Sequence, residues 1–119
     1  MSKHDPKVTL RQISDSALRA QELCGQNELP AILSNWHKRL AFERVMEVLG
    51  EAVKRLPPEL CHRYPAVPWN LVAGMRDRVS HGYDGIDYAI LWDTVHDDIP
   101  GLLTTVEKML QDLYAGQRK

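Results

Sequence analysis

The side chains best suited to chemistry lie together near residue 80. Arg76, Asp77, Ser80, His81 and Tyr83 fall within eight residues. A guanidinium matches phosphate oxygens and the charge that builds on them in a transition state, and an imidazole exchanges protons near neutral pH. Arg76 and His81 therefore suit phosphodiester chemistry. Because no carboxylate cluster is present to hold magnesium, the simplest route is metal-independent attack of an RNA 2′-hydroxyl on its own phosphate, a nucleophile that DNA lacks.

One helix should position these side chains. Pro68 fits a first helical position, where its missing N–H wastes no hydrogen bond. Apolar residues then recur at three- and four-residue spacing on one face: Leu71, Val72, Met75 and Val79. Gly82 is a typical helix stop. The pattern predicts a single helix from Pro68 to about Gly82.

The angles between the side chains raise a question about the site. On an ideal helix Asp77 and His81 stand about 40° apart, so the carboxylate can orient the imidazole and favour its protonated form. Arg76 and His81 are about 140° apart and do not share a face. Either the last turn unwinds at Gly82, or a second copy of the helix completes the site across a two-fold axis. We expect the second, a homodimer, because two-fold dimers are the commonest homo-oligomers.

Each of these residues also has a plainer interpretation. His81 could be a favourable cation near a helix C-terminus. Arg76 could bridge acidic groups such as Asp77 or Asp84. Asp77 and Ser80 could orient the imidazole or bind water. Spacing alone leaves these alternatives open.

Composition limits the classes of protein to consider. A length of 119 residues suits a single domain, residues 1–119, with one core. The net charge of −1 argues against an indiscriminate nucleic-acid binder, although it allows a local basic groove. Cys24 and Cys61 have no metal-ligand spacing, so we expect two reduced thiols, no metal and no cofactor. Without a signal peptide or a long apolar run, we expect a cytoplasmic protein with no membrane partner.

Helical periodicity recurs along the chain, and strand-like alternation does not. Helices are predicted from Lys7 to about Cys24 with Gly25 as the stop, from about Asn35 to Leu56, and from a cap at Asp87 onward. Pro100 either kinks this last segment or starts a new helix after Asp98. Gly50 lies in mid-helix, which suggests that another helix backbone comes close there. We predict an all-α fold, an antiparallel bundle of four main helices plus short ones.

Several motifs together resemble a known family. Arg76-x-x-x-x-His81-x-Tyr83 is similar to the signature of the HEPN superfamily, and the Gly-Tyr ending points to its HepT-like branch. Three further segments resemble that branch in the expected order: Ala41-x-x-Arg44-x-x-Glu47-x-x-Gly50-Glu51-Ala52, Pro68-Trp69, and Trp92-x-x-Val95-x-x-Asp98-Ile99-Pro100-x-Leu102. The ordered set spans most of the chain and is far more specific than Arg-x4-His alone.

The resemblance implies a function and its regulation. It implies an HEPN-like endoribonuclease, the toxin of a toxin–antitoxin pair, with Arg76 and His81 as catalytic residues in a dimer-interface cleft that binds RNA. It also implies an MntA-like nucleotidyltransferase antitoxin that transfers AMP to Tyr83. An anionic AMP beside the catalytic pair would compete with RNA. The alternative is a non-catalytic helical subunit that docks on a nucleotidyltransferase or binds its substrate.

Overall fold

The computed structural model describes residues 5–82 and 85–117, and the regular structure of these residues is entirely helical. The predicted all-α fold is confirmed. The eight helices of the described residues are α1 Pro6–Gln26, α2 Leu29–Leu33, α3 Trp36–Lys54, α4 Pro58–His62, α5 Trp69–Ala73, α6 Met75–Ser80, α7 Tyr88–Asp97 and α8 Ile99–Gln117. None of these helices is both long and apolar enough to cross a membrane.

Polar side chains begin three of the helices. Asp5, Asn35 and Asp87 precede α1, α3 and α7, and each accepts a hydrogen bond from a backbone N–H two or three residues further on. These bonds satisfy amide groups that have no partner inside the helix. The predicted cap at Asp87 and the predicted start near Asn35 are confirmed.

The structure corrects one helix boundary predicted from the sequence and decides another that the sequence left open. The stop predicted at Gly25 is wrong, because α1 continues through that residue to Gln26. Asn27 is the first residue with extended dihedral angles, and its side-chain amide donates to the carbonyl of Leu23 at 2.9 Å. At the other end of the chain, Pro100 lies in the first turn of α8, so it starts a new helix rather than kinking an old one.

The core is built around α1, which packs against both α3 and α8. Two hydrogen bonds show that α1 and α3 are antiparallel: Arg55 donates to Gln12 at 3.1 Å, and Lys38 donates to Asn27 at 2.7 Å. The most completely buried large side chains include Leu10, Ile13, Phe42, Met46, Leu49, Leu102 and Met109. Burying each such side chain is worth about 1.5–3 kcal/mol, so this core stabilises the fold.

The stretch predicted as one helix from Pro68 is in fact two short helices, and Pro68 precedes the first of them rather than lying inside it. The break is at Gly74, between α5 and α6, where glycine weakens helix continuity. The close approach predicted at Gly50 is confirmed. A Cβ atom at Gly50 would lie 2.5 Å from the amide nitrogen of Arg76 and 2.9 Å from the carbonyl oxygen of Ala73. Helix α3 therefore packs against the α5–α6 junction backbone to backbone.

Candidate active site

Helix α6 is attached to α3 by polar contacts one helical turn apart. The Nε atom of Arg76 lies 3.3 Å from the Oε1 atom of Glu51. Four residues along α6, the hydroxyl of Ser80 donates to the Oε2 atom of Glu47 at 2.7 Å. Because the later residue of α6 meets the earlier residue of α3, the two helices run antiparallel. Together with the contact at Gly50, these bonds fix where α6 ends.

Arg76 and His81 meet at one carboxylate. The Nη1 atom of Arg76 lies 3.2 Å from the Oδ1 atom of Asp77, and the Nδ1 atom of His81 lies 3.8 Å from the same oxygen. The second distance allows an ion pair but is too long for a hydrogen bond. His81 has left the helical conformation, with φ −110° and ψ 20°. On an ideal helix Asp77 lies between the other two residues, about 100° from Arg76 and about 40° from His81, so both groups reach its carboxylate within one protomer.

This cluster is open to solvent. The side chains of Arg76, Asp77 and His81 are 39%, 51% and 61% exposed. A large ligand can thus reach both functional groups. A cavity of about 590 Å³ lies elsewhere, between α3, α4 and α5, and none of the described site residues, Arg76, Asp77, Ser80 and His81, lines it. The candidate site and this cavity are separate features of the molecule.

Comparison with known proteins identifies the family. Residues 13–109 match the family model described as "Ribonuclease HepT-like". The chain belongs to the HepT-like family. A protein of Methanocaldococcus jannaschii named "Putative RNase MJ0125" is 40% identical over 95% of this chain and 97% of its own length. A Thermococcus cleftensis protein named "Probable ribonuclease HepT" is 33% identical over 90% of this chain and 97% of its own length. No solved structure matches.

Ser80 of this HepT-like chain faces α3. The sequence suggested that it orients the imidazole or binds water, but its hydroxyl donates to Glu47. This bond is the main reason that the pKa of Glu47 is lowered, and a contact with Arg44 at 3.1 Å acts in the same direction. Glu47 is therefore a carboxylate that anchors the last turn of α6.

Sequence reasoning did not single out Glu47 and Glu51 as partners of the site. Both lie on α3, one turn apart, on either side of Gly50. The signal was available, because Gly50 was predicted to touch another helix and acidic neighbours of such a contact can reach basic groups on that helix. What the sequence did not show was which helix would be there.

Tyr83, the residue proposed to receive AMP, lies outside the described residues, as does Asp84. The predicted role of Tyr83 thus stays a prediction, and so does a bridge from Arg76 to Asp84. The plainer interpretation of Arg76, as a bridge between acidic groups, has contacts in its favour, since Arg76 touches both Glu51 and Asp77.

Proposed function

We propose that this HepT-like protein is an endoribonuclease that uses the 2′-hydroxyl of its RNA substrate as the nucleophile and needs no metal ion. The 2′-oxygen bonds to the adjacent phosphorus while the bond from phosphorus to the 5′-oxygen breaks. The products are a 2′,3′-cyclic phosphate and a 5′-hydroxyl. Family membership and the RNase names of the relatives support the reaction class.

The observation that carries the proposal is the meeting of Arg76 and His81 at one exposed carboxylate. In this proposal the guanidinium of Arg76 donates to the non-bridging phosphate oxygens, where negative charge grows in the transition state. The imidazole of His81 accepts the proton of the 2′-hydroxyl or returns one to the leaving 5′-oxygen. Asp77 lies between the two groups and orients them.

A homodimer would complete this chemistry. One imidazole cannot accept a proton from the nucleophile and donate one to the leaving group in the same step. Two protomers facing each other across a two-fold axis would supply two imidazoles to one cleft. We therefore keep the homodimer as part of the proposal, and its stoichiometry can be measured by light scattering.

The test is cleavage of single-stranded RNA by purified protein in the presence of EDTA. Arg76→Ala and His81→Ala should each lower the cleavage rate by about a hundredfold or more, with helicity by circular dichroism unchanged. Arg63→Ala and His96→Ala remove the same side-chain types elsewhere and should cleave like the wild type. Wild-type rates in both site variants, or loss of cleavage in EDTA, would refute the assignment.

We further propose that the protein is the toxin of a toxin–antitoxin pair, silenced by modification of Tyr83. A partner nucleotidyltransferase would transfer AMP from ATP, the phenol oxygen bonding to the α-phosphorus as pyrophosphate leaves. Support comes from the motif, in which Tyr83 follows His81 by two residues. After co-expression with such a partner, intact mass should increase by whole AMP units that map to Tyr83. Tyr83→Phe should gain none and should still cleave RNA.

A docking subunit without chemistry is the second candidate function. The contacts of Arg76 with Glu51 and Asp77 favour it, because a purely structural bridge would form the same ion pairs. Expression of this chain alone separates the two functions. Growth arrest that disappears with His81→Ala indicates an active ribonuclease, whereas growth without arrest indicates a docking subunit.

A further inference from the structure

Three arginines line one cleft, and of the described residues of the candidate active site only Arg76 is among them. The cleft has a volume of about 280 Å³ and is lined by Arg44, Glu47, Val48, Glu51, Arg55 and Arg76. We call it the arginine cleft. Five of these residues belong to α3 or to its C-cap, and only Arg76 comes from α6. The orientation of α3 therefore determines how the charges are arranged.

The positions along α3 place the arginines in a row. Arg44, Val48, Glu51 and Arg55 are separated by four, three and four residues, which puts them on one helix face. At about 1.5 Å per residue, Arg44 lies roughly 10 Å before Glu51 along the helix axis and Arg55 roughly 6 Å after it. Arg76 stands level with Glu51, its ion-pair partner. The row is thus Arg44, Arg76, Arg55.

The antiparallel packing sets the positions of the proposed reacting groups along the direction of this row. Because Ser80 meets Glu47 while Arg76 meets Glu51, α6 runs from the Arg55 side towards the Arg44 side. His81 follows Ser80, so Arg44 flanks the imidazole end of the site and Arg55 flanks the guanidinium end. A phosphate held between Arg76 and His81 would have one cation on each side along the cleft.

The two flanking arginines remain available to an anion. Arg55 donates to the neutral amide of Gln12 at 3.1 Å and forms no ion pair with the part of the chain that the structure describes. Arg44 pairs with Glu47, but its side chain is 73% exposed, and exposed ion pairs are weak enough for a phosphate to displace. Among the described residues that line the cleft, three arginines and two glutamates give a net charge of +1.

We propose that Arg55 and Arg44 bind the RNA phosphates on either side of the one that is cleaved, so that the substrate is a single strand lying along the arginine cleft. The proposal rests on the proposed ribonuclease function and adds the substrate-binding residues. Each guanidinium donates hydrogen bonds to non-bridging oxygens. A single strand is favoured because a positively charged groove follows its backbone, and because in-line attack by the 2′-oxygen needs a phosphate that is not held in a stacked duplex.

The experiment compares two substrates that share one cleavable step. One is a dinucleotide with a single phosphate, and the other is an octanucleotide with the same step at its centre and 2′-deoxyribose elsewhere. For the wild type, kcat/KM should be higher for the octanucleotide. In Arg55→Ala and in Arg44→Ala, the octanucleotide-to-dinucleotide ratio of kcat/KM should fall about tenfold, mainly through KM. Arg63→Ala, a matched arginine outside the cleft, should leave the ratio unchanged.

Binding can be measured without cleavage, which separates this proposal from the ribonuclease proposal. The affinity of the protein for a fully 2′-deoxy octanucleotide can be measured by fluorescence anisotropy at several salt concentrations. The slope of log affinity against log salt concentration should become about 0.7 less steep when either flanking arginine is replaced by alanine. Arg55→Lys keeps the charge and should keep the slope, which excludes a folding defect as the cause. If the wild-type protein shows this binding but does not cleave RNA, the ribonuclease proposal is wrong, and the proposal that Arg44 and Arg55 bind phosphates is retained. Unchanged ratios and slopes in Arg55→Ala and Arg44→Ala would overturn the cleft proposal.

Discussion

Helix α3 takes part in two very different contacts. It packs against α1 as part of the apolar core, in which its side chains Phe42, Met46 and Leu49 are completely buried. The side of α3 that contacts α6 carries Gly50 and the carboxylates of Glu47 and Glu51. On α6 itself, Met75 is the one buried residue. The apolar contact holds the fold together, whereas the polar contact places a few side chains. Changes on the first side should therefore unfold the protein, and changes on the second should disturb its site.

The largest effect on stability should follow a change in the apolar contact. Phe42→Ala removes a ring that is 0% exposed and leaves a cavity, which should lower the free energy of unfolding by about 3–5 kcal/mol. Urea denaturation followed by circular dichroism measures it. Leu18→Ala is the control, because Leu18 is 53% exposed and its loss should change stability by less than about 0.5 kcal/mol. Similar losses in both variants would show that α3 is not the centre of the core.

A smaller loss of stability, with a large loss of activity, should follow Gly50→Ala. The added Cβ would lie 2.5 Å from the amide nitrogen of Arg76, so the backbone that carries the guanidinium must move. Overpacking of this kind costs about 1–3 kcal/mol. If Arg76 acts as proposed, RNA cleavage should fall at least about tenfold when its guanidinium shifts. Thermal unfolding and cleavage rates measured on the same samples test both parts.

Gly101→Ala is the matched control for Gly50→Ala. Gly101 lies in α8, and a Cβ there meets nothing within 4 Å. Alanine in a helix should stabilise this variant by about 0.5–1 kcal/mol without a change in cleavage. If the two alanine variants behave alike, the close packing of α3 on α6 does not position the site.

The sequence was enough for the fold because the signals that define it are local. Caps such as Asp87 act within three residues, and the apolar period of α3 repeats every turn. The break at Gly74 was missed because one glycine lowers helix propensity but does not by itself end a helix. The break lies where α3 packs at Gly50 against the backbone of the α5–α6 junction. Gly50 is 24 positions earlier in the chain than Gly74.

The residues of the candidate site were proposed from their types and spacing, and most of their contacts were not predicted. Periodicity assumes that every residue keeps helical dihedral angles, which separates Arg76 from His81. It did not show that both side chains reach Asp77, which lies between them on the helix. The bond from Ser80 to Glu47 joins residues 33 positions apart, so its pairing depends on tertiary packing. The residue types indicated phosphodiester chemistry, whereas the contacts of Arg76 and Ser80 with α3 depend on tertiary packing.

The smallest effect concerns the charge of Glu47 and should depend on pH. Folding lowers the pKa of this carboxyl below its ordinary value of 4.5, chiefly through the hydrogen bond from Ser80. The carboxylate therefore stabilises the folded state fully above that value, and the contribution is lost as the pH falls through the lower, folded-state pKa. At pH 7, Glu47→Gln should lower the free energy of unfolding by about 0.5–1 kcal/mol, a modest amount because Arg44 is exposed to solvent. The difference between the variant and the wild type should shrink as the pH falls below 4.5.

Denaturant midpoints at pH 7 and pH 3 test this prediction, and Ser80→Ala provides the paired variant. If the two side chains act through their shared hydrogen bond, the double variant at pH 7 should lose less stability than the sum of the two single losses. The rate of RNA cleavage provides information that the free energy of unfolding does not. Glu47→Gln can still accept the bond from Ser80, so it should retain more activity than Glu47→Ala, because the imidazole follows directly after the anchored serine. Strict additivity, or equal activity in the glutamine and alanine variants, would mean that Glu47 does not hold the end of α6 in place.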